Sequence, residues 1–319
     1  MKKIFALALC AVMLFALIAA PACNNNTDGN EQTIDIRVAA LKGPTGMGMV
    51  KLMGDEYTHY DVSIESAPDA LASRFISGDI DVAAAPINLA ATLYNKLEGD
   101  VVVLSVATLG VLYILEDGDE IHSFADLDGK KIYATGQGST PEYILNYLMD
   151  KNGVSADVEY VGEHAALATM LASGQAHIGM LPQPNVTAAL GASENLCVAL
   201  DLTDEWNKVS DAALVQGVVI ARKSFVEKNK SAIEIFIKDY EASVDFVNGD
   251  VDASAAFVAA KGFLANEELA KQAIPSCNIS AIFGDEMKRS VSEMLKVLFD
   301  ANPKSIGDKL PADDFYYGA

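Results

Sequence analysis

The sequence predicts an α/β protein with two lobes, each a mainly parallel sheet flanked by helices, and three observations support this prediction. Apolar runs of strand length alternate with segments of helical periodicity. The same order of segments occurs twice along the chain, and two further strand-like segments join the copies. A chain of 319 residues that is 51% hydrophobic and 21% charged is long and apolar enough to fold as two domains.

The N-terminus is predicted to be a signal peptide over residues 1–22. Lys2 and Lys3 precede an uncharged apolar run, and the small-residue segment Ala20-Pro21-Ala22 ends at Cys23. Cys23 lies where bacterial lipoproteins carry an acylated cysteine, and residues 23–32 are a polar tether. Lipid anchoring at Cys23 is therefore the expectation, with ordinary secretion after Ala22 as the alternative.

The internal repeat begins at two similar segments, SGDIDVAAAPIN from Ser77 and SGQAHIGMLPQP from Ser173, which lie 96 residues apart. At this offset the apolar positions and one proline of the two segments coincide. Upstream, each copy contains a glycine-rich turn after an apolar run, GPTGMG in the first and GQGST in the second. Each copy therefore predicts the order strand, loop, helix, strand, helix, strand.

The segments outside the repeats complete the domain prediction. Residues 101–116 and 216–222 are strand-like and connect the copies, so the chain crosses twice between the lobes. Four helices are expected at 223–248, 252–262, 267–273 and 285–301, packed on the first lobe. The predicted first lobe comprises residues 33–112 and 216–319, and the predicted second lobe comprises residues 113–215.

The charge balance excludes several classes of partner. With 23 basic and 44 acidic residues, the formal net charge is −21. A chain this acidic lacks the basic surface that nucleic acids require. Sequence patterns of nucleotide-binding loops, zinc proteases and serine hydrolases are absent, and the four histidines have no metal-ligand spacing. No cofactor and no metal site is predicted.

The repeated α/β pattern predicts a binding cleft. Ligands of open parallel sheets bind outside the carboxyl ends of the strands. Two such lobes place both sets of loops around one cleft, and two crossings allow hinge closure around a ligand.

Several segments resemble the substrate-binding proteins of ABC transporters, in particular the nitrate/sulfonate/thiamine-precursor (NMT1/THI5-like) group of the type II periplasmic-binding fold. They are ALKGPTGMGMVKLM (40–53), SGDIDVAAAPINLAA (77–91), IYATGQGSTPEYILNYLM (132–149), LASGQAHIGMLPQP (171–184) and VVIARKSFVEKN (218–229). The resemblance implies an extracytoplasmic, monomeric receptor that delivers a small solute to a permease and ATPase complex. It implies no enzymatic activity.

Candidate ligand-binding residues lie in the loops that follow the predicted strands and near the first crossing. They are Lys42, Gly43, Pro44, Thr45, Gly46, Met47, Pro86, Asn88, Leu109, Gln137, Gly138, Ser139, Thr140, Glu163, His164, Pro182 and Gln183. Helix capping is the alternative role for the first loop, for Asn88 and for Glu163. Lys42 is either an anion contact or a solvated surface lysine.

The loops also suggest a ligand class. None of them contains arginine, the residue that suits a carboxylate clamp. A neutral or cationic heterocycle, such as a vitamin precursor, is therefore the first expectation, and a sulfonate- or nitrate-type anion is the alternative. Enzymes of menaquinone biosynthesis resemble the same fold, and Glu163 with His164 could then be an acid/base pair. Cys197 and Cys277 are expected to remain unpaired, because a bridge between them would join lobes that must move.

Overall fold

The computed structural model describes residues 34–319, which form one compact unit. The predicted signal peptide, the tether and the lipid-anchor residue Cys23 lie outside the described residues. The first sheet contains β1 (Ile36–Leu41), β2 (Tyr60–Glu65), β3 (Val82–Pro86), β4 (Val102–Thr108), β10 (Gly217–Ala221) and β11 (Ile279–Ile282). The second sheet contains β5 (Leu112–Asp117), β6 (Lys131–Ala134), β7 (Asp157–Tyr160), β8 (Ile178–Pro182) and β9 (Leu196–Asp201). Each sheet with the helices packed on it is called a lobe below.

The helices also follow the repeat. They are α1 (Pro44–Met47), α2 (Pro68–Ser77), α3 (Ile87–Lys96), α4 (Thr140–Asn152), α5 (His164–Ala172), α6 (Asn185–Ala192), α7 (Leu202–Asn207), α8 (Lys223–Lys228), α9 (Lys230–Gly249), α10 (Val251–Ala260), α11 (Glu267–Ala273) and α12 (Gly284–Ala301). The helix predicted over 223–248 is in fact two helices, because Asn229 leaves the helical conformation and its side-chain amide donates to the Phe225 carbonyl.

The two sheets share one strand order. The first sheet is ordered β11-β4-β10-β3-β1-β2 and the second β7-β6-β8-β5-β9. Without β11, β1 corresponds to β6, β2 to β7, β3 to β8 and β4 to β9. In both sheets the first three of these strands pair in parallel. The α/β fold with two sheets flanked by helices is confirmed.

One strand in each sheet runs against its neighbours. β10 pairs antiparallel with both β3 and β4, and β5 pairs antiparallel with both β8 and β9. Each of these strands immediately follows a crossing of the chain, at residues 109–111 before β5 and residues 202–216 before β10. The apolar stretch over 101–116 is thus two strands that belong to different sheets.

The Ser-Gly pair of each repeat has the same structural role. Gly78 caps the C-terminus of α2 with φ 82°, and Gly174 follows the end of α5 with φ 72°. Backbone in this left-handed conformation favours glycine. The helix therefore ends at the equivalent position of each repeat, shortly before the next strand. At the start of α4 the N-cap is Ser139, so Thr140 is the first helical residue.

The C-terminal helices pack on more than the first lobe. Helices α9, α10 and α11 cover one face of the first sheet, in a core that includes Phe236 and Tyr240. Helix α12 packs against α3 of the first lobe and against α4 of the second. Its buried Met294, Leu295 and Leu298 belong to a core cluster that extends into both lobes. Helix α12 thus packs on the first lobe and also on the second, and α11 contacts α6 of the second lobe as well.

Two features bear on the other sequence predictions. Cys197, on β9, is exposed, and Cys277, just before β11, is buried, and both are free thiols. In the part of the chain that the structure describes, no helix has the length and apolarity needed to cross a bilayer.

Candidate functional site

The strand pairings place the ends of the parallel strands β3 and β8 next to the two chain crossings. Pro86 at the end of β3 pairs with Gly217 at the start of β10, and Gly217 also pairs with Thr108 at the end of β4. In the second sheet Leu112 at the start of β5 pairs with Pro182 at the end of β8. The crossings begin or end at these positions, so the loops that follow the parallel strands lie beside the crossings in both lobes.

The first loop, after β1, is shaped by two glycines. Gly43 has φ 106° and precedes the short helix α1. Gly46 lies so close beneath β1 that a Cβ there would be 2.1 Å from the Leu41 carbonyl oxygen. This close approach directs Met47 into the core, where it is fully buried.

The loop therefore offers different groups from those predicted. Met47 is a packing residue, and the prediction that it lines the cleft is wrong. Gly43, Pro44 and Thr45 remain partly exposed, and Lys42 is exposed.

The corresponding loop of the second lobe is largely satisfied by its own bonds. The Gly138 amide donates to the Glu142 carboxylate, and the Ser139 hydroxyl donates to the Gly136 carbonyl at 2.7 Å. Gln137 is exposed. These bonds leave fewer free donors for a ligand than the sequence suggested.

A direct contact joins the two lobes at this loop. The Thr140 hydroxyl donates to the Asn88 side-chain oxygen at 3.3 Å, and Thr140 is buried. Asn88 does not cap α3, which begins after Pro86 without a side-chain cap. Two residues that the sequence placed in facing loops are thus in contact between the lobes.

Other bonds between the lobes extend this contact. The side-chain amide of Asn302 donates to the Tyr143 hydroxyl at 3.0 Å. The Tyr113 hydroxyl donates to the backbone carbonyl of Ser276 at 3.1 Å. Because hydrogen bonds between neutral groups contribute about 0.5–1.5 kcal/mol each, a few of them stabilise this arrangement only modestly.

His164 is the titratable candidate in the second lobe. Its Nδ1 lies 2.7 Å from the Thr135 hydroxyl, which follows β6. The residue is exposed, yet the protein atoms around its imidazole disfavour the charged form, and this desolvation lowers its pKa against a smaller opposing effect of Glu163. The neutral imidazole is thus favoured. Glu163 is exposed and forms no side-chain cap on α5.

Gln183 connects the first crossing to the start of α6. The residue is buried, and its backbone amide donates to the Val111 carbonyl at 2.9 Å in the first crossing. Its side-chain oxygen accepts from the Thr187 hydroxyl at 2.8 Å and so holds the start of α6. Pro182 ends β8, and Leu109 is partly exposed in the crossing.

Two residues where the crossings meet the first sheet were missed by sequence reasoning. Thr108 Oγ1 and Gln216 Nε2 are buried, and neither has a hydrogen-bond partner among residues 34–319. Thr108 ends an apolar run and Gln216 precedes another, so neither differs in sequence from a strand terminus. Their significance depends on the three-dimensional surroundings of their polar atoms.

The described residues contain no cluster of three or more histidine, cysteine or acidic side chains that could hold a metal ion. The loops at the strand ends present hydroxyls, carboxamides and the His164 imidazole to a ligand. Such groups bind through hydrogen bonds and, at His164, can accept a proton.

The fold is that of solute-binding proteins of ABC importers. The chain is similar to the structure of an ABC transporter protein from Parabacteroides distasonis, with 22% identity and a TM-score of 0.77 over 89% of this chain and 98% of that one. It is also similar to the periplasmic aliphatic sulphonate binding protein SsuA from Escherichia coli, with 17% identity and a TM-score of 0.69 over 87% and 92% of the two chains. The ligand-binding component of an ABC-type import system from Staphylococcus aureus, solved with zinc bound, gives 16% identity and 0.65 over 89% and 98%.

The sequence comparison identifies the family. The model of the family described as menaquinone biosynthesis matches residues 47–299. Because this match covers most of the chain, the protein belongs to that family. No curated protein sequence matches the chain. The finer resemblance to the NMT1/THI5-like group stays a prediction.

Proposed function

We propose that the protein is an extracytoplasmic solute-binding receptor of an ABC importer, which captures a small organic solute between its lobes by hinge closure. The contact between Thr140 and Asn88 carries this proposal, because it joins the strand-end loops of the two lobes beside two chain crossings. The fold shared with importer components supports it. In this proposal Cys23 anchors a monomer to the cell membrane, and residues 33–112 with 216–319 move against residues 113–215.

The proposed solute is a neutral or cationic heterocycle, such as a vitamin precursor. The loops at the strand ends contain no arginine, and Lys42 is exposed at the first of them. A sulfonate- or nitrate-type anion is the alternative, and it would depend on Lys42 and on backbone amides. The acidic chain as a whole disfavours anions at long range.

The family assignment supports a second candidate, an enzyme on the same fold. His164 is the side chain that favours it, because its lowered pKa keeps a proton acceptor available at neutral pH. In that case Glu163 and His164 would act on a bound substrate as an acid/base pair.

The test is a thermal-shift screen of the chain from Glu31 onward, which contains the whole compact unit. The panel contains pyrimidines, vitamin precursors, sulfonates, nitrate and amino acids, and each stabilising compound is recovered and analysed by mass spectrometry. A receptor is stabilised by a compound that is recovered unchanged, by about 4 kcal/mol at 1,000 times its Kd. A compound recovered with altered mass, and left unaltered by the His164→Gln variant, would instead support the enzyme.

The location of the site is tested with matched asparagine variants. Asn88→Ala is expected to weaken binding of the stabilising compound, whereas Asn195→Ala, in an exposed turn before β9, is expected to leave it unchanged. Equal affinities of the two variants would contradict a site between the lobes.

A further inference from the structure

Two buried polar atoms where the crossings meet the first sheet, Thr108 Oγ1 and Gln216 Nε2, have no hydrogen-bond partner among the described residues, although the backbones of these residues are paired. The backbone amide of Gln216 donates to the backbone carbonyl of Thr108 at 2.9 Å, so the two residues are neighbours in the sheet. Thr108 is 1% exposed, yet its Oγ1 has no hydrogen-bond partner among the described residues, and the same holds for Gln216 Nε2. A buried polar group without a partner loses its hydrogen bonds to water and forms none within the protein, so such groups are rare in folded proteins.

The Thr45 hydroxyl lies close to the Thr108 hydroxyl, beside the residue that follows Gln216. A Cβ built on Gly217 would lie 2.9 Å from Thr45 Oγ1 and 3.2 Å from Thr108 Oγ1. Both hydroxyls therefore approach the bare backbone of Gly217 from one side. The absence of a side chain at Gly217 leaves room for both hydroxyls beside its backbone.

The side chains of this place favour a neutral group over a buried anion. No arginine occurs in the strand-end loops, and Lys42 is exposed rather than directed into the protein. A carboxylate brought here would lose its hydration without gaining a cation.

We propose that Thr45, Thr108 and Gln216 bind the acceptor end of a neutral solute, such as a ring carbonyl or a carboxamide oxygen. Gln216 Nε2 and the two hydroxyls are donors that such an oxygen accepts. This assignment rests on the proposed function, since it concerns the solute held between the lobes. The three residues set the specificity for neutral over anionic heterocycles.

The main test substitutes Thr108 with valine, which has the same shape and lacks the hydroxyl. Removing an unpaired buried hydroxyl is expected to raise the Tm of the ligand-free protein. The same variant is expected to bind a neutral probe about tenfold more weakly, because the donor to the solute is lost. Gln216→Met is the second variant, and it is expected to weaken binding of the probe to a similar degree.

The matched control removes a buried hydroxyl that has a partner. The Ser254 hydroxyl, on α10, donates to the Val247 carbonyl at 3.0 Å. Ser254→Ala is expected to lower the Tm and leave binding unchanged. A rise in Tm for Thr108→Val beside a fall for Ser254→Ala would show that the two hydroxyls differ as the structure indicates.

The probes are two pairs that differ mainly by a carboxylate, uracil with orotate and nicotinamide with nicotinate, titrated calorimetrically. The proposal expects at least one neutral member to bind about tenfold or more tightly than its anionic partner. Tighter binding of a carboxylate, binding of neither neutral probe, or unchanged affinity in both variants would overturn it. Each of these results would overturn the role assigned to the three residues. Recovery of a chemically altered compound would instead overturn the receptor function itself.

Discussion

Replacing Asp81 with asparagine is predicted to destabilise the first lobe. Asp81 is 5% exposed and immediately precedes β3. Its carboxylate accepts three hydrogen bonds from Arg37, from the backbone amide at 3.1 Å, from Nε at 2.8 Å and from Nη2 at 2.6 Å. The carboxylate thus joins β1 to the start of β3, beside the Arg222 amide that donates to the Asp81 carbonyl.

The size of the effect follows from these contacts. A hydrogen bond to a charged group contributes about 1.5–3 kcal/mol, but half of the Arg37 side chain is exposed, so its ion pair counts for less. Asparagine keeps one oxygen and presents an amide to the guanidinium in place of the other. We therefore expect a loss of about 2–4 kcal/mol in the free energy of unfolding.

The assay is urea unfolding of the chain from Glu31 onward, followed by far-UV circular dichroism, with thermal melts alongside. For a domain of this length the Tm is expected to fall by about 4–8 °C. The matched control is His177→Ala, because His177 occupies the position equivalent to Asp81 in the second repeat. Its side chain is 75% exposed and lies 3.7 Å from Asp117, so a change within about 0.5 kcal/mol is expected. A loss below about 1 kcal/mol for Asp81→Asn, or an equal loss in the control, would refute this reasoning.

Three further predictions follow from burial. Desolvation lowers the pKa of His164, so the unfolded chain takes up a proton before the folded protein does. The free energy of unfolding should therefore fall as the pH drops below about 6.5, and His164→Gln should reduce that slope in melts across pH. Burial raises the pKa of Cys277 to about 12, so in the chain from Glu31 onward a thiol reagent should react with the native protein at the exposed Cys197, and denaturant should make Cys277 reactive as well. Rapid native reaction of both thiols would contradict this. The buried hydroxyl of Tyr160 has no partner among the described residues, so Tyr160→Phe should leave the Tm unchanged or raise it, and a clear fall would be the opposing result.

The repeat was the part of the fold that the sequence predicted best. The Ser-Gly pairs at 77–78 and 173–174 mark helix ends because left-handed glycines occur there in both copies. The sequence did not predict which sheet each strand near the crossings joins. The apolar run over 101–116 is continuous, so it does not show that its two halves belong to different sheets. The four-residue strand β11 was missed for a related reason, since so short a segment has no measurable periodicity.

The candidate site was predicted in part. Topology placed Asn88 and Thr140 on facing loops, and they are in contact. Met47 was assigned to the cleft because it lies in a glycine-rich loop, but the close packing of Gly46 under β1 turns it into the core. Thr108 and Gln216 could not be found from sequence, because an unpaired buried atom is a property of the folded surroundings.

Isothermal titration calorimetry of a stabilising compound tests the central claim most directly. A receptor is expected to give injection heats that saturate at one compound per chain and return to baseline after each injection. Sustained heat after each injection would show turnover and would contradict a receptor in favour of an enzyme. Saturation that persists unchanged in a variant carrying both Asn88→Ala and Thr140→Val would contradict the placement of the site between the lobes.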